Sequence, residues 1–206
     1  MEFEFIEGCI VLTLFLGYLS LWRLKKRKML RTNRGDPDVI YNDSRPSQKF
    51  FAKLSRLMSV SIVLLIVFHS AGVKDKFGFY PIEFLDNDTA NIIGFVLGLS
   101  GLLLCWRAQK EMGDSWRVGI DRPNKTKLVT SGVFQKVRNP TYSGLFLICA
   151  GAFSIFPTIS FMVWAIVFYI SIEFQVRIEE EFLTESHGEQ YTQYYRTTKR
   201  YIPYLY

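Results

Sequence analysis

The stretch YSGLFLICAGAFSIFPTISFMVWAIVFYISIEF, which runs from Tyr142 to Phe174, decides the fold class. It is apolar and is longer than the roughly 20 residues that one helix needs to cross a bilayer. Pro157 divides it near the middle, with Phe156 and Thr158 on either side. Because proline interrupts a helix, the stretch predicts two membrane helices that form a hairpin.

Three more apolar blocks precede this hairpin. They run from about Phe5 to Trp22, from Leu57 to Val73 and from Ala90 to Trp106. Together with the hairpin, they predict an all-α integral membrane bundle of about five transmembrane helices. Gly94, Gly98 and Gly101 lie on or near one face of the third block, where small residues would let another helix approach closely. Glycine that is merely tolerated in a membrane helix explains the pattern equally well.

The charges between the blocks predict the orientation. Residues 23–56 carry eleven Lys or Arg against three acidic residues, residues 74–88 carry two against four, and residues 107–138 carry eight against three. Since basic loops stay on the cytoplasmic side, we expect the N-terminus outside and the C-terminus inside. The net charge of +6 then suits anionic lipid headgroups and requires no nucleic acid.

Several functional classes lack their signatures in this sequence. It contains no phosphate-binding glycine loop, no nucleophile elbow and no histidine–carboxylate spacing typical of a metal site. Cys9, Cys105 and Cys149 all fall inside predicted spans, which argues against a disulfide framework or a thiolate metal site. His69 also lies in a span, where it is either functional or, as we favour, a hydrogen-bonded packing residue. We therefore expect no bound metal.

The first candidate functional residues lie just before the hairpin. Pro140 disfavours helical geometry at Asn139 and can itself occupy the first turn of the following helix. Arg138 and Asn139 would therefore lie at a helix start, where unpaired amides and the helix dipole favour a carboxylate. Taken alone, Arg138 is more readily explained as a marker of the cytoplasmic end of the span.

A second polar segment runs from Glu173 to Tyr206. Glu173, Arg177 and Glu180 share one helical face, a pattern that a solvated, salt-bridged helix also gives. Gly188 should end that helix, and tyrosines crowd the tail at positions 191, 194, 195, 201, 204 and 206. Such rings suit a membrane interface or, beside carboxylates, a bound cation.

Together the two segments resemble the membrane methyltransferases of the isoprenylcysteine carboxyl methyltransferase and phospholipid methyltransferase group. That group carries Arg-His-Pro-x-Tyr-x-Gly at a helix start, followed later by an Arg, a Glu-Glu pair, Phe-Gly-x-x-Tyr-x-x-Tyr and Arg-x-Ile-Pro. The matching residues here are Arg138-Asn139-Pro140-Thr141-Tyr142-Ser143-Gly144, then Arg177, Glu179-Glu180, His187-Gly188, Tyr191, Tyr194 and Arg200-Tyr201-Ile202-Pro203. Asn139 replaces the usual His, and His187 replaces the usual Phe.

The resemblance covers roughly residues 90–206 and implies an S-adenosylmethionine cofactor and a lipophilic substrate that enters from the bilayer. It implies that residues 1–89 supply N-terminal spans and a basic loop to a single membrane domain, whose catalytic core is residues 90–206. It also implies a cofactor pocket with Glu179 and Glu180 on one wall. The other wall would consist of Arg138, Asn139, Pro140, Tyr142 and Gly144, with Gly132 and Phe134 nearby.

The predicted mechanism is the alignment of a methyl donor with an acceptor that is already ionised. A carboxylate acceptor, such as that of a prenylated cysteine, would need no strong base at neutral pH. We predict that Arg177 holds this carboxylate through paired hydrogen bonds and that Glu180 orients Arg177. Tyr142 or a tail tyrosine would pack near the sulfonium, and Glu179 would receive the ammonium or ribose hydroxyls of the cofactor.

Other functions remain open from the sequence. The acceptor could be a phospholipid amine or a small thiol instead of a carboxylate. Membrane sterol reductases carry a similar Arg-x-Pro-x-Tyr-x-Gly element and use NADPH, but they are usually much longer. A non-enzymatic membrane scaffold is the remaining alternative.

Overall fold

The structure is a computed structural model that describes residues 2–41, 45–73, 78–124 and 126–205. Within these ranges the chain forms six α-helices. They are α1 (Glu2–Arg31), α2 (Pro46–Ser70), α3 (Asp88–Met112), α4 (Pro140–Ile155), α5 (Ile159–His187) and α6 (Glu189–Thr197). The described residues form no named strand and only two isolated bridges. The predicted all-α membrane bundle is confirmed.

Four of these helices, α1, α2, α3 and α5, are long and apolar enough to cross a membrane. The fifth apolar helix, α4, has 16 residues and is about 24 Å long, somewhat less than the roughly 30 Å hydrocarbon core. The chain is therefore an integral membrane protein with four full-length spans and one shorter apolar helix. Part of the acidic loop used to predict orientation, residues 74–77, lies outside the described residues.

The hairpin between α4 and α5 forms where the sequence predicts it. Pro140 occupies the first turn of α4, where its missing N–H costs nothing. The Thr158 hydroxyl caps α5 by accepting from the Phe161 amide at 3.3 Å. Residues 78–82 cover the turn, since the Ile82 amide donates to the Pro157 carbonyl at 2.7 Å. The predicted break at residues 156–158 is confirmed.

Glycine allows α3 and α4 to approach closely. A Cβ added at Gly101 would lie 2.5 Å from the carbonyl oxygen of Gly144, and one added at Gly94 would lie 2.6 Å from that of Gly151. Backbone atoms cannot move aside cheaply, so these positions accept only glycine at this helix spacing. Close approach is thus the correct explanation of the glycine pattern.

We expect Gly101→Ala to destabilise the bundle by about 1–3 kcal/mol, because the new methyl group forces α3 and α4 apart. Thermal unfolding in detergent measures the effect. Leu99→Ala is the matched control on the same helix, since Leu99 is 44% exposed on the outer surface. Equal melting temperatures for the two variants would contradict the close-packing account.

A buried polar cluster joins α1, α2 and α3 at the end of the bundle opposite α6. The His69 Nε2 atom lies 2.8 Å from the Glu7 carboxylate, whose other oxygen accepts from Asn91 Nδ2 at 3.0 Å. The His69 ring packs 3.8 Å from the Phe156 ring, measured between centroids. These contacts agree with His69 as a hydrogen-bonded packing residue and supply the partners that the sequence left unidentified.

Candidate active site

Four charged side chains form an ion cluster where α4 begins and α5 approaches the tail. One Glu180 oxygen accepts from Arg138 Nε at 3.1 Å, and the other accepts from Arg200 Nη2 at 2.7 Å. Arg200 also reaches Glu173 at 3.4 Å. The side chains of Arg138, Glu180 and Arg200 are only 7%, 8% and 11% exposed. A buried carboxylate held by two guanidinium groups ties α4, α5 and the tail together.

The tail is fixed to the start of α4 through the backbone as well. The amides of Arg138 and Asn139 donate to the carbonyls of Lys199 and Arg200 at 2.7 and 3.1 Å. The Arg138 guanidinium also donates to the Thr198 carbonyl and lies 4.0 Å from the ring centroid of Tyr195. The segment around Arg138 therefore depends on the fold of the last ten residues.

Glu179 lies one residue away from this cluster and has different partners. Its Oε1 atom accepts from the Tyr142 hydroxyl and from Gln175 Nε2, both at 2.8 Å. The adjacent carboxylates thus have separate environments, with Glu180 in an ion cluster and Glu179 among neutral donors.

Helix α6 closes over the loop that precedes α4. The Tyr194 hydroxyl donates to the Phe134 carbonyl at 2.7 Å. Burial raises the pKa of Tyr194 above its usual value, so the hydroxyl remains a protonated donor at physiological pH. Tyr191, the other α6 tyrosine packed inward, is 1% exposed.

A cavity of about 440 Å³ adjoins these residues and extends into the bundle. Its four charged lining residues, Arg117, Lys127, Arg138 and Glu179, lie at one end, which we call the mouth, together with Asn139, Tyr142 and Tyr194. Its inner end is apolar and is lined by Val11, Leu14, Ile62, Ala152 and Phe161. Along α1 the lining runs from Val11 to Trp22, about 16 Å of helix. The cavity thus joins a charged mouth to a hydrocarbon-like interior.

The basic segment 23–56, to which the sequence assigns no role, contributes to this cavity. The Ile40 amide donates to the Val118 carbonyl at 3.0 Å, and the Val118 amide donates to the Pro37 carbonyl at 2.8 Å. Ile40 and Tyr41 consequently line the cavity. The segment is therefore part of the wall as well as a charged flank.

Six of the predicted site residues line the cavity. They are Phe134, Arg138, Asn139, Pro140, Tyr142 and Glu179. Glu180 lies behind this lining in the ion cluster, and Gly144 packs against α3, where an added Cβ would lie 2.6 Å from Cys105 Sγ. Gly144 and Glu180 therefore do not line this cavity, and their place in a cofactor site stays a prediction.

Gly132 does not line the cavity but lies against the end of α3. Its φ of +64° is in the left-handed region, and an added Cβ would lie 2.2 Å from the Glu111 carboxylate. That carboxylate accepts from the Val133 amide at 2.7 Å. Gly132 therefore lets the loop before α4 attach to the end of α3.

Arg177 is oriented differently from the prediction. Its side chain is 63% exposed, and its Nε lies 3.5 Å from Glu173. Glu180 pairs with Arg138 and Arg200 instead, so the expected Glu180–Arg177 pair does not form. Sequence spacing placed the two residues on one face, but Glu180 turns toward the buried guanidinium groups of the tail and α4.

We expect Arg177→Ala to retain most of the methyl-transfer activity proposed below, because an exposed ion pair contributes at most about 1 kcal/mol. Initial rates with saturating donor and acceptor measure this. A loss as large as that of Arg138→Ala, the matched change at the cavity mouth, would restore Arg177 to the mechanism.

Some residues near the site were not identified from sequence. Gln175, which is buried, donates to Glu179, and the buried Gln48 donates to Gln175. Arg117 and Lys127 line the mouth. A glutamine in a polar helix start or an arginine in a basic loop carries no sequence signal of its own. No cluster of three or more His, Cys, Asp or Glu side chains suited to a metal occurs within the described ranges.

The sequence around this site is similar to that of known proteins. The sequence pattern of the phospholipid methyltransferase family matches residues 89–190, about half of the chain. Protein-S-isoprenylcysteine O-methyltransferase B of Arabidopsis thaliana is 27% identical over 118 residues, which cover 57% of each chain. The chain thus spans less than two thirds of the length of this curated relative. The matched segment contains α3, α4, α5 and the loop before α4.

Proposed function

We propose that this chain, which belongs to the phospholipid methyltransferase family through residues 89–190, transfers a methyl group from S-adenosylmethionine to a lipophilic acceptor. The observation that carries the proposal is the cavity of about 440 Å³, whose charged mouth continues into an apolar interior. A polar donor and a hydrocarbon-bearing acceptor can meet only where both environments adjoin. This cavity provides that junction.

The residues at the mouth fit S-adenosylmethionine. Glu179 Oε1 is occupied by Tyr142 and Gln175, which leaves Oε2 to accept from an ammonium or ribose hydroxyl. Arg117 and Lys127 offer positive charge for the carboxylate of the donor, and the rings of Trp116 and Tyr194 offer apolar surface. When bound, the cofactor supplies an electrophilic methyl group on a sulfonium.

The protein contributes alignment and exclusion of water. Arg138 and Asn139 are held by Glu180 and the tail, so they form a rigid edge of the mouth. Tyr142 packs at the boundary between polar and apolar lining, where its ring can contact a cation. An ionised carboxylate acceptor needs no general base in this arrangement. One of Arg117 and Lys127 then takes the acceptor-binding role that the sequence suggested for Arg177, and the other serves the carboxylate of S-adenosylmethionine.

The chemical class of the acceptor can be proposed from the site and tested through the stability of the methylated product. We propose a carboxylate such as that of a prenylated cysteine, supported by the cationic side chains at the mouth and by the Arabidopsis relative, whose name specifies an isoprenylcysteine. Alkaline treatment releases methanol from a methyl ester, whereas an N-methyl or S-methyl product is stable. A base-stable product would favour a phospholipid amine or a thiol.

We further propose that the mouth faces the cytoplasm, with the N-terminus outside. The described parts of the basic segments 23–56 and 107–138 both lie at this end of the bundle, and basic loops stay on the cytoplasmic side. Residues 1–89 would complete the cavity wall in a single membrane domain, while residues 90–206 would carry the cofactor contacts. Labelling of single cysteines from either side of the membrane tests the orientation.

Binding titrations test the cofactor. We expect purified protein in detergent to be stabilised by S-adenosylmethionine and by its demethylated product, and Glu179→Ala to lose that stabilisation. Stabilisation by NADPH alone would identify a reductase. Stabilisation by none of these compounds would favour a membrane scaffold.

A further inference from the structure

A line of buried hydrogen bonds connects α2 to Glu179. Gln48, in the first turn of α2, donates from Nε2 to Gln175 Oε1 at 3.3 Å, and Gln175 donates from Nε2 to Glu179 Oε1 at 2.8 Å. Gln48 is 0% exposed and Gln175 is 1% exposed. Gln48 lies outside the segment that matches the family, residues 89–190.

The two amides are aligned head to tail along this line. Gln175 presents its NH₂ group to Glu179 and its carbonyl to Gln48, and Gln48 presents its own NH₂ group to Gln175. This alignment suits a carboxylate oxygen as the final acceptor. Within the described residues this leaves Gln48 Oε1 buried without a partner, an unfavourable condition for a carbonyl oxygen.

The line also determines which oxygen of Glu179 remains available. Gln175 and Tyr142 both donate to Oε1, and no residue of the described chain donates to Oε2. Glu179 lines the cavity, so holding Oε1 on the protein side leaves Oε2 as the acceptor for a ligand. Without the Gln175 donor, the carboxylate could rotate away from that geometry.

We propose that Gln48 is a positioning residue for the methyl donor, which acts through Gln175 to present Glu179 Oε2 to the cavity. This inference rests on the proposed function and extends the cofactor site to a residue of α2. It assigns to the N-terminal part of the chain a role in donor affinity. The role is separate from forming the apolar part of the wall.

The test compares Gln48→Met with Gln109→Met. Gln48→Met keeps the side-chain volume but removes the NH₂ group that donates the hydrogen bond to Gln175. Gln109 is a second buried glutamine, 4% exposed, and its Nε2 has no partner among the described residues, so its loss should leave donor affinity unchanged. We expect Gln48→Met to raise the KM and Kd for S-adenosylmethionine about tenfold. The kcat and the acceptor KM should stay near wild-type values.

A second variant covers the case in which Gln48→Met does not fold. Gln48→Glu keeps the shape but places a carboxylate against the Gln175 carbonyl, so it should weaken donor binding at least as much. Gln175→Met should abolish the additional effect of Gln48→Met, since both act through one line of hydrogen bonds. Wild-type donor affinity in both folded Gln48 variants, or equal losses in kcat and acceptor affinity, would overturn the proposal. Failure of the wild-type protein itself to bind S-adenosylmethionine would instead refute the proposed function.

Discussion

Glu180→Ala should cause a large loss of stability, about 3–5 kcal/mol, because it leaves two buried guanidinium groups without their shared carboxylate. Arg138 and Arg200 both depend on Glu180, and the tail is attached to α4 through the same region. Binding of S-adenosylmethionine should be lost together with the order of the tail. Thermal unfolding and donor titration in the same detergent measure the two effects.

Glu181→Ala is the matched control, since Glu181 follows on the same helix and is exposed. It should behave like the wild-type protein. Glu180→Gln keeps the side-chain shape without the charge, so its melting temperature should lie between those of Glu180→Ala and Glu181→Ala. If Glu180→Ala had the same melting temperature as Glu181→Ala and bound S-adenosylmethionine normally, the ion cluster would not hold the site together.

Ala152→Phe should remove activity toward long-chain acceptors while sparing donor binding. Ala152 lines the apolar inner end of the cavity, so a phenyl ring there occupies the space proposed for the hydrocarbon chain. Displacing the acceptor by even about 1 Å can cost a hundredfold in rate. Methyl-transfer rates with acceptors of decreasing chain length measure the effect. The rate of the variant should come closest to the wild-type rate with the shortest acceptor.

Ala150→Phe provides the control for this variant, because Ala150 lies on the exposed side of the same helix. It introduces an equal side chain without entering the cavity. The two variants should share a melting temperature if the effect belongs to the cavity. Equal loss of activity with every chain length would mean that Ala152→Phe disturbs α4 rather than blocking a chain.

The sequence could predict most of the fold because the bilayer imposes simple requirements. Apolar length fixes the spans, and Pro157 fixes the hairpin, so both appear in the structure where expected. The start of α2 at Pro46 lies about eleven residues before the predicted apolar block. A polar helix start leaves no trace in hydropathy, and Gln48 lies within it.

The site was only partly predictable, since spacing along a helix does not say which way a side chain turns. Arg138, Tyr142 and Glu179 line the cavity. Spacing does not predict the partner Arg200 of Glu180, because Arg200 lies twenty residues away and reaches Glu180 only through the fold of the tail. The contacts of Ile40 with the loop around Val118 span an even greater separation. No local pattern encodes such pairs.

The most direct measurement of the proposed function is methyl transfer by the purified protein. The protein is incubated with S-adenosylmethionine labelled in its methyl group and with a membrane lipid extract that contains prenylated cysteine. We expect label in an organic-soluble product, released as methanol by base, with little label when Ala152→Phe replaces the wild-type chain. Absence of lipid-phase label from a protein that is folded and supplied with both substrates would contradict the proposed function.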